Sequence, residues 1–197
     1  PEIKQDIRTA TIVVAANDSL HKNDADYVCD VSNCEVNGQL ALNVLALIGG
    51  GRLIWMEGTY EKGVAAGMEI PSNVEVELVP GAVITFADSI NADGCIFINS
   101  DQVNGNENIK VVGGTLDGNE EGQASGIQYA VDFKNVKNLT IDTGIKHFRT
   151  ADTKLEDCHN VRLDNRLASR RNLGHLRDIE TISNFETPGE WTATLGN

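Results

Sequence analysis

The chain has 197 residues and a formal net charge of −13 at neutral pH, from 16 basic and 29 acidic side chains. This length fits one domain, and the acidic excess argues against nucleic acid as a partner, because proteins that bind nucleic acid carry a basic surface. No apolar run reaches membrane-spanning length and the N-terminus has no signal-peptide hydrophobic region, so we expect no membrane insertion.

The first predicted elements are an N-terminal segment, residues 1–36, that leads into a helix over residues 37–49. Residues 38–48 are rich in helix formers, Asn37 is a suitable N-cap, and Gly49 to Gly51 forms a strong stop. The apolar residues occupy more than one stripe of this helix, so we expect it to be mostly buried. We interpret it as a cap over the open end of the strands that follow.

Four cysteines divide into two pairs with different expectations. Cys29 and Cys34 are close enough in sequence to form a disulfide across a small loop, and the sequence leaves their redox state open. Cys95 and Cys158 fall where inward apolar residues are expected, so we predict that both are free and buried. No Cys-x-x-Cys pair or Cys/His spacing suggests zinc.

The central part of the chain repeats a short phrase: asparagine, apolar, any residue, apolar. It begins at Asn73, Asn108, Asn138 and Asn160, which are 35, 30 and 22 residues apart (108−73, 138−108, 160−138). The alternation predicts short strands with one buried face, and asparagine suits a left-handed corner between strands. Periods of this size are typical of stacked repeat architectures.

The last two copies align without a gap at an offset of 22. Residues 133–142 lie over residues 155–164, with apolar residues opposite apolar ones at 133/155, 136/158, 139/161 and 141/163. We therefore predict stacked coils over residues 50–183. Residues 184–197 are expected to form a linker or the start of a further module.

Four segments resemble the pectin-lyase-like right-handed parallel β-helix superfamily: Ala25–Asp30, Gly50–Tyr60, Ile70–Val74 and Gly113–Asn119. The resemblance covers roughly residues 10–165. It implies an all-β fold, a right-handed single-stranded parallel β-helix (a solenoid) with an N-terminal capping α-helix. The superfamily includes pectate lyases, polygalacturonases, phage tailspikes and non-enzymatic surface proteins, so the resemblance is specific for fold and not for function.

The sequence lacks the catalytic motifs of polygalacturonases. Members of that type carry Asn-Thr-Asp, Asp-Asp and Gly-His-Gly motifs, and none of these is present. The segment around His175, Leu173–Leu176, lacks the second glycine of the Gly-His-Gly motif. Asp117 and His159 are interpreted as turn residues.

Pectate-lyase chemistry, as the resemblance implies, needs acidic calcium ligands and a basic residue that abstracts a proton. One neighbourhood contains these residue types, and Asp132 and Lys154, 22 residues apart (154−132), should stack on one face. A charged outer face would have the same composition. If the protein is an enzyme, the candidate catalytic residues are therefore Asp132, Asp152, Asp157, His147, Arg149 and Lys154. We predict no other metal site and no cofactor besides the calcium that a lyase would use.

Carbohydrate binding without cleavage would use exposed aromatic side chains. Trp55 alternates with apolar neighbours in a strand and is expected in the core. The remaining candidates for glycan contact are Tyr60, Tyr129, Phe148 and Trp191.

The sequence favours a non-enzymatic structural or receptor-binding module of a virion surface, such as a phage tailspike, fibre or decoration protein that also binds glycan. Its expected partners are further copies in a homotrimer, other virion proteins or a polysaccharide, and its expected location is the virion or an extracellular surface. The alternative is a polysaccharide lyase or glycoside hydrolase acting on an acidic polysaccharide. A third hypothesis is that the protein binds glycans at the surface of a cell.

Overall fold

A computed structural model describes residues 10–30, 32–149 and 153–163, together with the backbone of residues 173–177 and 182–183. The elements over these residues are β1 (Thr11–Ala15), β2 (Tyr27–Val28), α1 (Cys34–Leu47), β3 (Gly51–Trp55), β4 (Gly58–Lys62), β5 (Met68–Ile70), β6 (Val74–Phe86), β7 (Gly94–Asn99), β8 (Asn106–Asp117), β9 (Gln128–Lys134), β10 (Val136–Lys146), β11 (Thr153–Glu156), β12 (His159–Leu163), β13 (Leu173–Arg177) and β14 (Ile182–Ser183). Short 3-10 helices lie at Lys22–Asp24 and Glu120–Gly122.

The strands form two sheets, and every pair recorded in them is parallel. The nine-stranded sheet has the order β14-β12-β10-β8-β6-β3-β1-β2, with β4 also pairing with β6. The five-stranded sheet has the order β13-β11-β9-β7-β5. From β5 onward the chain alternates between the two sheets, so each strand pairs with the second strand before and after it in sequence.

The predicted all-β, right-handed single-stranded parallel β-helix is wrong. The strands form two separate parallel sheets with one packed α-helix, an arrangement consistent with an α/β fold, and no closure into a solenoid is found in the described part of the chain. Period-two alternation and a repeat offset determine which strands pair in register. They contain no information on how one sheet is joined to the next. The arrangement of the sheets was therefore predicted wrongly, although the strands were predicted correctly.

The register itself follows the sequence repeat. Strand β11 pairs with β9 so that Leu155 lies beside Phe133, and β12 pairs with β10 so that Val161 lies beside Leu139. The 22-residue offset is thus confirmed in both sheets. It brings apolar side chains into continuous buried rows between strands.

The repeat asparagines occupy the predicted corners. Asn73, Asn108, Asn138 and Asn160 all have a left-handed backbone, with φ between 53° and 62°. Their side chains form a ladder, in which the Nδ2 of each donates to the Oδ1 of the preceding one at 2.8 Å. Asparagine is suited to both tasks, because it tolerates this backbone conformation and has a donor and an acceptor on one planar group.

Helix α1 begins earlier than predicted and is only half buried. Its N-cap is Asn33, and Asn37 instead lies in the first turns and donates to the Val28 carbonyl at 2.9 Å. One face packs against strands of both sheets, where the ring of Trp55 in β3 and the Sδ of Met68 in β5 leave no room for a Cβ on Gly38. The expectation of a mostly buried helix was wrong, since the opposite side of α1 carries exposed apolar residues.

Aromatic residues and cysteines complete the core near the helix. Trp55 is fully buried, as predicted, and its ring meets that of Tyr60 edge-on at 4.8 Å between centroids. The four cysteines are free thiols and all are buried. Burial raises the pKa of the Cys29 thiol to about 12, against a smaller opposing hydrogen bond from Asn37, so this thiol stays protonated.

Candidate functional site

The structure brings together two of the predicted catalytic residues on the outer side of the five-stranded sheet. Asp132 of β9 and Lys154 of β11 are direct neighbours in register. The Lys154 Nζ donates to the Asp132 Oδ2 at 2.9 Å, and both side chains are partly exposed. The predicted stacking of this pair is confirmed.

Tyr129, one of the four aromatic candidates, joins this pair. Its ring is half-buried, and the Lys154 Nζ lies 5.9 Å from the ring centroid, within the range of a cation–π interaction. Desolvation raises the pKa of the Tyr129 hydroxyl, although the Lys154 charge opposes the rise, so the phenol remains a neutral donor and acceptor. We call Tyr129, Asp132 and Lys154 the Tyr129 cluster.

The environment of Lys154 makes it a poor base. Desolvation would lower its pKa, but the hydrogen bond from its ammonium group to Asp132 and the Asp132 charge outweigh it, so the pKa of Lys154 is raised. A lysine that abstracts a proton near neutral pH needs a lowered pKa. The Tyr129 cluster therefore holds a protonated lysine, paired with Asp132, beside an aromatic ring.

The other lyase candidates have contacts of their own. His147 Nδ1 lies 3.1 Å from Asp117 Oδ1, and the Arg149 guanidinium donates to the Gln123 carbonyl. Asp157 occupies a left-handed corner with φ of 51°. Asp152 lies outside the described residues. In the described part of the chain, no hydrogen bond or ion pair joins His147, Arg149 or Asp157 to the Asp132–Lys154 pair.

Two of the aromatic candidates are excluded by burial. Tyr60 is fully buried, and its hydroxyl donates to the Met56 carbonyl at 2.7 Å and to the Val14 carbonyl at 3.1 Å. Phe148 is 2% exposed and packs edge-on against Phe86. Their prediction as glycan contacts was wrong, because Tyr60 points inward from β4 and Phe148, just after the end of β10, packs into the core. Trp191 lies outside the described residues.

A second polar site centres on Asp117, which sequence reasoning treated as a turn residue. Its carboxylate is 15% exposed and pairs with the Lys146 Nζ at 3.2 Å and with His147. It lies in a depression of about 210 Å³ lined by Thr85, Asp117, Asn119, Glu120, Glu121 and His147. The signal that could have found it is the separation of His147 from Asp117, which equals the 30-residue repeat offset (147−117). A register shift between Asp142 and Gly144 then brings Lys146 beside Asp117 in the sheet.

Neither site has the donor set of a metal centre. Within the described ranges, no group of three or more histidine, cysteine, aspartate and glutamate side chains is placed to hold a metal ion. Calcium, which the lyase alternative would use, thus has no identified ligand set in this part of the chain.

No protein-family model and no curated protein matches this sequence. Among solved structures, a Parabacteroides merdae protein described as a "putative glycosyl hydrolase" is similar to this chain, with 17% identity and a TM-score of 0.50. The match covers 82% of this chain and 92% of that one. At this identity the likeness shows the fold alone.

The fold corrects one part of the expected setting, because it consists of parallel sheets with a helix and not of a β-helix. Neither the fold nor the comparison supports a phage tailspike or a virion protein. The likeness to the pectin-lyase-like superfamily, the homotrimer and the surface location stay predictions. None of the described helices is long and apolar enough to cross a membrane.

Proposed function

We propose that this chain is a non-catalytic glycan-binding protein, and that a saccharide binds at the Tyr129 cluster. The observation that carries the proposal is the convergence of a half-buried aromatic ring, a carboxylate and an ammonium group on one outer sheet face. The apolar side of a sugar ring can pack on an aromatic face, while its hydroxyls bond to charged groups at the edge.

Charge supports a neutral saccharide in this site. Asp132 and Lys154 compensate each other, whereas the whole chain has a net charge of −13 that repels polyanions. The raised pKa of Lys154 and the single carboxylate of the cluster support binding over cleavage, because glycoside hydrolysis uses a pair of carboxyl groups.

The test is equilibrium binding to a panel of neutral oligosaccharides, with polygalacturonate as the acidic comparison. Tyr129→Ala should weaken binding of the preferred saccharide by about tenfold or more, since the loss of one good contact of about 1.4 kcal/mol has this effect. Lys154→Met should weaken it as well. Equal affinity of Tyr129→Ala and the native protein for every bound saccharide would overturn the proposal.

The chain provides a matched control for these variants. Lys134 and Glu156 lie two positions along the same two strands and form an ion pair of the same length, 2.9 Å. Among the described residues, cation–π contacts are made by Lys62 and Lys154 and not by Lys134. Lys134→Met therefore removes an equivalent charge from the same face. It should leave saccharide affinity unchanged.

A second candidate function is glycoside hydrolysis in the Asp117 depression. It is favoured by the clustering of Asp117, Glu120 and Glu121 beside His147, and by the description of the similar Parabacteroides merdae protein. Release of new reducing ends from a polysaccharide, lost in both Asp117→Asn and Glu121→Gln, would establish this function. Activity that survives both substitutions would exclude the depression as its site.

A further inference from the structure

A shallow groove crosses the outer face of the nine-stranded sheet beside the asparagine ladder. Its volume is about 290 Å³, close to the lower limit of about 300 Å³ for sites that take small organic molecules. The groove is lined by residues of β8, β10 and β12: Asn108, Lys110, Asn138, Thr140, Asn160 and Arg162. Two of these are cations and none is acidic, in a chain with a net charge of −13. We call this cationic surface the Thr140 groove.

The charged side chains that cross this sheet face alternate in sign until they reach the groove. In register, Arg52 of β3 lies beside Glu75 of β6, and Glu75 lies beside Lys110 of β8. Ion pairs join these neighbours, with 3.6 Å between Arg52 Nε and Glu75 Oε1 and 3.3 Å between Lys110 Nζ and Glu75 Oε2. The next two positions are Thr140 of β10 and Arg162 of β12, so a neutral residue stands between two cations. An anion above Thr140 would continue the alternation.

The spacing of the strands allows both cations to reach one anion. Neighbouring strands lie about 4.8 Å apart, so the backbones at Lys110 and Arg162 are separated by about 10 Å, with Thr140 midway. Ammonium and guanidinium groups form strong charge-assisted hydrogen bonds with carboxylate, sulfate and phosphate oxygens. The Thr140 hydroxyl adds a donor on the floor of the groove. At physiological salt, charges are screened beyond about 8 Å, so a ligand responds mainly to the residues that line the groove.

The asparagine ladder forms one wall of the groove and supplies neutral hydrogen-bonding groups. The Nδ2 atoms of Asn108, Asn138 and Asn160 each donate one hydrogen bond, to the preceding Oδ1 at 2.8 Å. All three side chains are exposed. Because an amide nitrogen carries two N–H groups, one on each of these side chains is left for a ligand. A row of amides beside two cations suits a molecule that carries hydroxyl groups as well as an anionic group.

We propose that the Thr140 groove binds a small acidic sugar of the uronic acid class. Its carboxylate lies between Lys110 and Arg162, and its hydroxyls bond to the asparagine ladder. The volume of the groove limits the ligand to about a single sugar residue. This site is separate from the Tyr129 cluster, which lies on β9 and β11 of the five-stranded sheet. The two proposals rest on different residues and different ligands, so each can fail without the other.

The first test is isothermal titration calorimetry of the intact chain with glucuronate, and with glucose as the uncharged counterpart. Arg162→Met and Lys110→Met should each weaken glucuronate binding about tenfold or more, because each removes a charge-assisted hydrogen bond. Lys134→Met is the matched control, since it removes a cation from the other sheet, and it should bind glucuronate like the native chain.

The Tyr129→Ala variant separates the two sites in the same titrations. It should keep the native affinity for glucuronate and bind glucose at least about tenfold more weakly than glucuronate, because glucose lacks the carboxylate. Loss of glucuronate binding in Tyr129→Ala would assign the acid to the Tyr129 cluster and overturn the proposal. Equal affinity of this variant for glucose and glucuronate would overturn it as well.

The position between the two cations provides the sharpest test. Thr140→Glu places a carboxylate of the chain itself between Lys110 and Arg162, so it should abolish glucuronate binding without lowering the free energy of unfolding in urea. Thr140→Gln has the same shape without the charge and should keep the affinity within about threefold of the native value. Equal loss of binding in both variants would show that crowding and not charge is responsible, and would overturn the proposal. Sulfate and phosphate should bind more weakly than glucuronate; equally tight binding of either ion would overturn the acidic sugar as the ligand.

Discussion

Two rows of side chains on opposite faces of the five-stranded sheet differ in how much they vary. The inward row passes through Met68, Phe97 and Val131 to Thr153, all of them buried and all but the last apolar. The outward row, one residue further along each strand, changes from Glu69 through Ile98 to Asp132 and Lys154. Uniform rows hold strands in register, whereas a row that changes from strand to strand is free to form a local site.

The largest expected effect comes from a substitution on the buried face of the sheet. Phe133→Ala removes a fully buried ring that neighbours Leu155 in the next strand. It should lower the free energy of unfolding by about 3–5 kcal/mol, since a cavity remains where the ring was. Urea denaturation measures the loss. A change below about 1 kcal/mol would mean that this row is not a packed core.

The asparagine ladder is a second uniform row. Its contribution to the free energy of unfolding can be divided into a backbone part and a hydrogen-bond part. Asn138 has φ of 58° and hydrogen bonds to Asn108 and Asn160. Asn138→Ala should cost about 2 kcal/mol, from backbone strain of about 1 kcal/mol and two hydrogen bonds of about 0.5 kcal/mol each, the lower ends of their ranges because both bonds are exposed to solvent.

Asn138→Gly is the matched variant for that experiment, since glycine adopts the left-handed conformation without strain. It should lose only the hydrogen-bond part and be more stable than Asn138→Ala in the same urea titration. If the alanine and glycine variants unfold at the same denaturant concentration, backbone strain contributes nothing at this corner.

The difference between the inward and outward rows explains which features of the fold and of the site could be predicted from the sequence. Alternation of apolar and polar residues predicted the strands, their register and the left-handed asparagine corners, because these depend on neighbours in sequence or in the next repeat. The division into two sheets depends on how loops join the strands, and the alternation does not encode it. For the same reason the pairing of Asp132 with Lys154 was predictable, whereas burial of Tyr60 and the Asp117 depression were not.

Lys62 is the charged exception among the buried side chains of the described strands, because it is a fully buried cation at the end of β4. Its Nζ donates to the Ala66 carbonyl at 2.6 Å and to the Val64 carbonyl, and lies 5.0 Å from the Phe86 ring centroid. Burial lowers the pKa of Lys62 to about 8, although nearby negative groups oppose the shift.

The sign of the pH effect follows from this lowered pKa. Between pH 8 and the ordinary lysine pKa of about 10.4, the unfolded chain binds more protons at this position than the folded one, so the contribution of Lys62 to stability becomes more favourable as pH rises. The measurement is the free energy of unfolding of the native chain minus that of Lys62→Met, at several pH values. That difference should rise between pH 8 and 10 and stay flat below pH 7. A flat difference throughout would show that Lys62 has an ordinary pKa.

The smallest expected effect on stability lies in the variable row, at the proposed glycan site. Lys154→Met removes a partly exposed ion pair and should change the free energy of unfolding by less than about 1 kcal/mol, as should the control Lys134→Met, because solvent screens both pairs. The two variants should therefore be equally stable and differ only in saccharide affinity, which falls for Lys154→Met alone. If Lys154→Met instead destabilised the fold by several kcal/mol, the outer row would be structural like the inner one. The contrast between the rows would then no longer locate a site.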